Sequence, residues 1–200
     1  MKGWMNVTLR LESGSTTAIG SLPHARTAEA VDFVLGCGLD VPFWPQLPKR
    51  DFREWMVPQY GADLPGFSLD PEGKRFHVAR GDDFVEVLTA FYERALDPAS
   101  EFSLPRDHAA GYYAFVERIG EQGEERDILK GHVTGPLTFA LGLNQEDGRP
   151  IYADDELRMA SIQLLARIAG WQAKQLGTMA SQGAVVFIDE PIYSALGTAS

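Results

Sequence analysis

One cysteine, Cys37, and four histidines are all this 200-residue chain holds of thiol and imidazole side chains. A single thiol excludes an internal disulfide framework and fits a reducing compartment. His24, His77, His108 and His132 show no clustered spacing, and none lies near Cys37 in sequence. The pattern therefore predicts no zinc site built within this chain, because zinc ligands usually come in clusters. Positive charge is short as well: 18 Lys and Arg face 28 Asp and Glu, for a net charge of −10. That balance argues against a nucleic-acid backbone or an anionic membrane as the main partner. No apolar run approaches the roughly 20 residues that span a bilayer. Met1-Lys2-Gly3-Trp4-Met5-Asn6 lacks the apolar core of a secretory leader. Neither a P-loop nor a dinucleotide fingerprint is present. A cytoplasmic protein is the expectation.

What remains is an ordinary globular composition, 44% hydrophobic and 23% charged, long enough for a single domain over residues 1–200. Residues 16–22 predict a short strand ending in a Gly-Ser turn. Thr27 is placed to cap a helix carrying Ala28, Val31, Phe33, Val34 and Leu35, closed by Gly36 and Gly38. Cys37, between those glycines, reads as a small packing residue. Residues 41–44 predict a second strand, kept short by prolines, and residues 50–60 a brief helix that Pro58 would break. Arg75-Phe76-His77-Val78 alternates like a hairpin arm. Helices are expected near 82–96 and 107–119, the second capped by Asp107.

Residues 128–133 predict the next strand, and the clearest helix spans about 154–176, with acidic residues at its start. The apolar run Ala184–Ile188 has the look of a fully buried parallel strand. Strands alternating with helices imply right-handed crossovers and a mostly parallel sheet. The expected class is α/β, and the favoured architecture is a (β/α)8 TIM barrel, which typically needs about 250 residues. This chain would supply its N-terminal half, about four strands. An open four- or five-stranded sheet is the alternative.

Candidate chemistry sits at strand ends, where parallel α/β proteins bind ligands. At Ile19-Gly20-Ser21 a glycine permits close approach, and Ser21 has an N–H and a hydroxyl to offer a carboxylate. A plain strand-to-helix turn is the competing reading. Asp189 and Glu190 are consecutive, so their side chains should diverge. One would face the barrel mouth, to bind an ammonium group or orient a base, and the other would hold backbone. Gly135-Pro136-Leu137-Thr138 also follows a strand, with Pro136 suited to a first helical turn.

Four segments together resemble the catalytic barrel of cobalamin-independent methionine synthase, within the superfamily that also holds uroporphyrinogen decarboxylase and corrinoid-linked methyltransferases. They are Thr17-Ala18-Ile19-Gly20-Ser21-Leu22-Pro23, the stretch Met56-Val57 … Tyr60-Gly61 … Leu64 … Gly66-Phe67, Gly135-Pro136-x-Thr138, and Gly183-Ala184 … Ile188-Asp189-Glu190-Pro191. The resemblance implies a zinc-dependent methyltransferase that passes a methyl group to a thiol such as homocysteine, zinc presenting the thiolate. By resemblance, Ile19, Gly20 and Ser21 hold the amino acid's carboxylate and Asp189 its ammonium group. Glu54 and His24 are further substrate-binding candidates.

The departures shape the expectation. The family's His, Cys, Glu and Cys zinc ligands lie beyond the Asp-Glu-Pro strand, so this chain contains none of them. The family's acidic substrate ligand before the Met-Val segment has no matching register: Arg50 and Phe52 fall nearby, with Asp51 and Glu54 to either side. Gly142 stands where folate-dependent members carry tryptophan, and Ala195 replaces a second acid. The methyl donor, a folate or a corrinoid protein, is left open. The rivals are a decarboxylase-like barrel, for which Arg26, Lys49 and Arg50 are the available cations, and a non-catalytic half barrel that binds a small ligand or self-associates.

Overall fold

Helix-forming and strand-forming segments alternate along the chain, and the computed structural model describes them over residues 9–123 and 126–196. In chain order the elements are α1 (Thr27–Gly36), α2 (Pro58–Gly61), β1 (Phe67–Asp70), β2 (Arg75–Val78), α3 (Phe84–Leu96) and α4 (Ala110–Gln122). Then come β3 (Ile128–Thr134), α5 (Pro136–Gly142), α6 (Asp155–Gly177), β4 (Gly183–Asp189) and α7 (Ile192–Leu196). The architecture is mixed α/β. Among the described residues the named strands form two pairs, antiparallel β1–β2 and parallel β3–β4.

The parallel pair has two further neighbours. Phe43 bridges Lys130 of β3, and Ser21 bridges Gln46, both in parallel sense. Backbone N–H groups of Val41 and Gln46 donate to Thr16 and Gly20 (3.0 and 2.8 Å), and that of Lys130 donates to Pro42 (2.9 Å). Residues 16–22, residues 41–46, β3 and β4 thus lie side by side in chain order. The first two were expected as strands, yet they meet their neighbours only at single bridges. Pro42 and Pro45 have no N–H to donate, which interrupts any regular ladder there.

Every residue of β3 is buried, because it has neighbours on both edges and α6 across one face. The expectation of a fully buried last strand does not hold: β4 pairs only with β3 among the described residues, and Phe187 and Ile188 are 43% and 63% exposed. Helix α6 is fixed at its start by Asp154, whose carboxylate accepts from the N–H groups of Glu156 and Leu157 (both 3.1 Å). It buries Leu157, Leu164, Leu165, Ile168 and Leu176 along one stripe.

Other boundaries move for local reasons. Thr27 opens α1 and does not cap it: Arg26 holds the cap position, without a side-chain bond. Asp107 pairs with Arg53 at 3.4 Å, and α4 begins three residues later behind Ala109. Residues 50–60 split into a 3-10 turn, Phe52–Glu54, and α2, which Pro58 starts. Cys37 is exposed, so it is no packing residue.

The segment around Tyr60 is structural. Tyr60 is buried and donates its hydroxyl to the His132 carbonyl at 3.0 Å. The Phe67 ring fills the space beside Gly61, 2.5 Å from where a Cβ would lie. Gly66 adopts φ of 73°, against the carbonyl of Ala79.

Candidate functional site

The C-terminal end of β4 and the turn after residue 18 meet at a cavity of about 280 Å³. Ile19, Gly20 and Ser21 form one wall, and Ile188, Asp189, Glu190 and Pro191 the opposite one. Gln46, Met56 and His132 complete the lining. Residues separated by most of the chain come together because residues 16–22, residues 41–46, β3 and β4 run parallel and end on the same side. The mouth is apolar: Ile19 is 75% exposed and Ile188 63%.

Asp189 and Glu190 both line the cavity but engage different neighbours. Glu190 accepts from the N–H groups of Leu137 and Thr138 (2.9 and 2.7 Å) and from the Thr138 hydroxyl (2.6 Å). It ties β4 to the start of α5, where the positive helix end favours a carboxylate. Gly135 is required for that approach, since a Cβ there would lie 2.1 Å from the Glu190 carboxyl carbon. The Asp189 side chain accepts no hydrogen bond among the described residues. Partial burial pushes its carboxyl up from the usual range, and the nearby Lys130 ammonium opposes that shift.

Lys130 is buried, with Nζ donating to the Ala18 carbonyl at 2.7 Å and lying 4.2 Å from the centre of the Phe187 ring. It therefore braces the Ile-Gly-Ser segment from β3. Burial lowers its pKa and Asp189 works the other way. The Ser21 hydroxyl and N–H have no partner among the described residues and stand free for a ligand.

His132, which the sequence offered only as an isolated histidine, is the most unusual group of the wall. Its imidazole stacks on Trp44 with centroids 3.8 Å apart and planes 20° from parallel. Neither ring nitrogen has a hydrogen-bond partner among the described residues. Burial, helped by the Lys130 charge, pulls its pKa down to about 3, so the ring is neutral at pH 7. Gln172 fixes the strand behind it, accepting from the His132 N–H (3.1 Å) and the Trp44 indole (2.8 Å) and donating to the His132 carbonyl (2.9 Å). Gln46 extends this buried polar set, donating to the Glu54 carbonyl (3.1 Å) and to Gln59 Oε1 (2.9 Å).

The remaining candidates fall elsewhere. Glu54 is buried behind the cavity and does not line it: its carboxylate accepts from Arg50 (2.6 Å) and the Leu47 N–H (3.2 Å). Burial raises its pKa to about 7 despite the Arg50 charge. His24 packs against Phe33, ring centres 5.3 Å apart, away from the cavity wall. Arg26 pairs with Glu29 on the surface, and neither Lys49 nor Arg50 reaches the lining.

Among the described residues no group of three or more His, Cys, Asp and Glu side chains is placed to hold a metal ion. No helix among the described residues is long and apolar enough to cross a membrane. Compared with known proteins, the chain matches no family model, no curated protein and no solved structure.

Proposed function

We propose that this chain carries the amino-acid-binding wall of a methionine-synthase-like methyltransferase, and that residues 16–22, residues 41–46, β3 and β4 are four strands of its (β/α)8 barrel. The ligand is an amino-acid thiol such as homocysteine. One observation carries the reading: Ile19-Gly20-Ser21 and Asp189, far apart in sequence, line the same cavity. In this reading Asp189 takes the ligand's ammonium group, and the Ser21 hydroxyl and N–H take its carboxylate. Lys130 opposes the burial-driven rise of the Asp189 pKa and holds the Ser21 segment in place through Ala18.

The chain's own contribution is binding and orientation. Zinc, the family's metal, would lower the pKa of the substrate thiol, and its ligands are not among the side chains described; the methyl donor, a folate or a corrinoid protein, is likewise no part of this wall. A decarboxylase-like reading has less behind it, because among the described residues no Lys or Arg lines the cavity to receive substrate carboxylates.

Calorimetric titration of the chain with L-homocysteine tests the proposal. Saturable binding is expected, weakened about ten-fold or more by Asp189→Asn and by Ser21→Ala, as loss of a charge-assisted hydrogen bond implies. Absence of binding, or an affinity in both variants unchanged from that of the unsubstituted chain, would overturn it.

A further inference from the structure

Helix α6 buries Leu157, Leu164 and Ile168 on its inner side, so the line of residues directly opposite should be its most polar. At about 100° per residue that line runs Met159, Ile162, Ala166, Gly170 and Ala173, and every one of them is exposed. It carries no charge over about 21 Å of helix. Gly170 sharpens the point. A glycine weakens a helix interior relative to alanine, yet a Cβ here would meet nothing within 4 Å among the described residues. The described packing does not ask for that glycine, whereas close approach by another molecule would. Beside it runs an open groove of about 620 Å³, with Ala166, Gly170 and Ala173 along one side and residues 98–102 along the other. Completing a barrel would not cover this face, because barrel helices form an outer ring and α6 turns the stripe away from its sheet.

We propose that this face joins two copies of the chain, α6 against α6, antiparallel about a two-fold axis at Ala166. A two-fold interface must be complementary to itself. The stripe is: its residues stand three, four, four and three positions apart, the same in both directions. Across the axis Ala166 meets Ala166, Ile162 meets Gly170 and Met159 meets Ala173, so each large side chain faces a small one. Charge agrees with that pairing. Glu156 and Lys174 flank the stripe on the same side at opposite ends, so the axis brings Lys174 of one copy beside Glu156 of the other, twice. Each has a partner within its own chain, Arg80 and Glu101, and still keeps more than half of its side chain in solvent. Antiparallel helices also set opposite dipole ends together. A parallel pairing would instead oppose Met159 to Met159 and Lys174 to Lys174. A single helix pair is small beside the roughly 1,200–2,000 Å² of usual specific interfaces, so the dimer is reversible.

Sedimentation equilibrium of the 200-residue chain tests this, with a monomer–dimer equilibrium expected. Gly170→Gln should raise the urea midpoint of the monomer, since the site is open and glutamine is the better helix former. The same change should weaken dimerisation about ten-fold or more, by crowding Ile162 of the second copy. Ala166→Glu, on an exposed helix position, should leave the circular dichroism unchanged and weaken dimerisation about 100-fold, because two carboxylates then meet at the axis. Cross-linking reads the register. In a Cys37→Ser background, Ala166→Cys should give an intermolecular disulfide on oxidation, and Ala173→Cys, which faces Met159, should not. A chain that stays monomeric, a dimer that both Gly170→Gln and Ala166→Glu leave unmoved, or an equal cross-linking yield from Ala173→Cys would each overturn the proposal. None of these outcomes bears on the amino-acid cavity, which the homocysteine titration tests by itself.

Discussion

The imidazole of His132 occupies the space where a side chain on Gly20 would begin: a Cβ there would lie 2.2 Å from Cε1 and 2.6 and 2.7 Å from the two nitrogens. The glycine of the Ile-Gly-Ser turn is thus explained by a neighbouring side chain, with no ligand needed to account for it. With Trp44 stacked on the ring, there is little room for His132 to retreat. Gly20→Ala is expected to destabilise the protein by about 1–3 kcal/mol through overpacking. In a His132→Ala background the same change should cost much less, because the two sites share one space. Urea unfolding of the four proteins gives the cycle. Additive effects would show that Gly20 and His132 do not compete for that space.

Glu190 ties β4 to the start of α5, whereas the Asp189 side chain accepts no hydrogen bond among the described residues. Replacing Glu190 by Ala leaves the Leu137 and Thr138 N–H groups and the Thr138 hydroxyl without their acceptor. The expected loss is about 1–2 kcal/mol, the scale of a lost helix cap. Glu190→Gln keeps one acceptor oxygen and should lose less. Asp189→Asn, which breaks no hydrogen bond among the described residues, should change the unfolding midpoint little. A larger loss for Asp189→Asn than for Glu190→Ala would reverse these roles.

The elements most legible in sequence are those whose pattern is local. The start of α6 was readable because Asp154 precedes a long amphipathic repeat, and β3 because a strand-like stretch runs straight into Thr134-Gly135-Pro136. The prolines at 42 and 45 announced a short second strand, but not that its contact would shrink to a bridge. Asp107 carries a capping side chain, yet Arg53, distant in sequence, engages it and the helix starts later. At the cavity, strand-end position pointed to Ser21 and Asp189. His132 was missed because nothing local marks it: its neighbours Trp44, Gly20 and Gln172 are brought to it only by the fold. The one hint was a histidine inside an otherwise strand-like stretch beside Lys130. Glu54 misled for the opposite reason, being close in sequence to the Met-Val segment and yet turned into the interior by Arg50 and Leu47.

Lys130 and Asp189 are electrostatically coupled, and the coupling has a measurable direction. Burial raises the Asp189 carboxyl pKa while the Lys130 ammonium lowers it. Lys130→Met removes the opposing charge, so the Asp189 pKa should rise further. Titration followed by the ¹³C carboxyl resonance of Asp189 reads this directly. The variant should also free the Ala18 carbonyl and lose stability by about 1–3 kcal/mol, as expected when a charged donor leaves a buried acceptor. An unchanged or lower Asp189 pKa in Lys130→Met would show that the two charges do not interact.

His132 and Glu54 bend the pH dependence of stability in opposite directions. The folded His132 has a pKa near 3 against an ordinary 6.5. Between those values the unfolded chain holds the extra proton, so this residue makes stability rise with pH. For Glu54 the folded pKa is about 7 against an ordinary 4.5, so over that interval the folded state holds the extra proton and stability falls as pH rises. Each contributes a slope of up to about 1.4 kcal/mol per pH unit. From pH 4.5 to 6.5 the two intervals overlap and the slopes offset each other. His132→Phe should therefore make stability fall more steeply with rising pH across that range than in the unsubstituted protein. Glu54→Gln should do the reverse, so that stability climbs with pH until about 6.5 and then levels. Urea unfolding at half-unit steps from pH 4.5 to 7.5 separates the two, and variants that run parallel to the unsubstituted protein would show that neither residue has a displaced pKa in the fold.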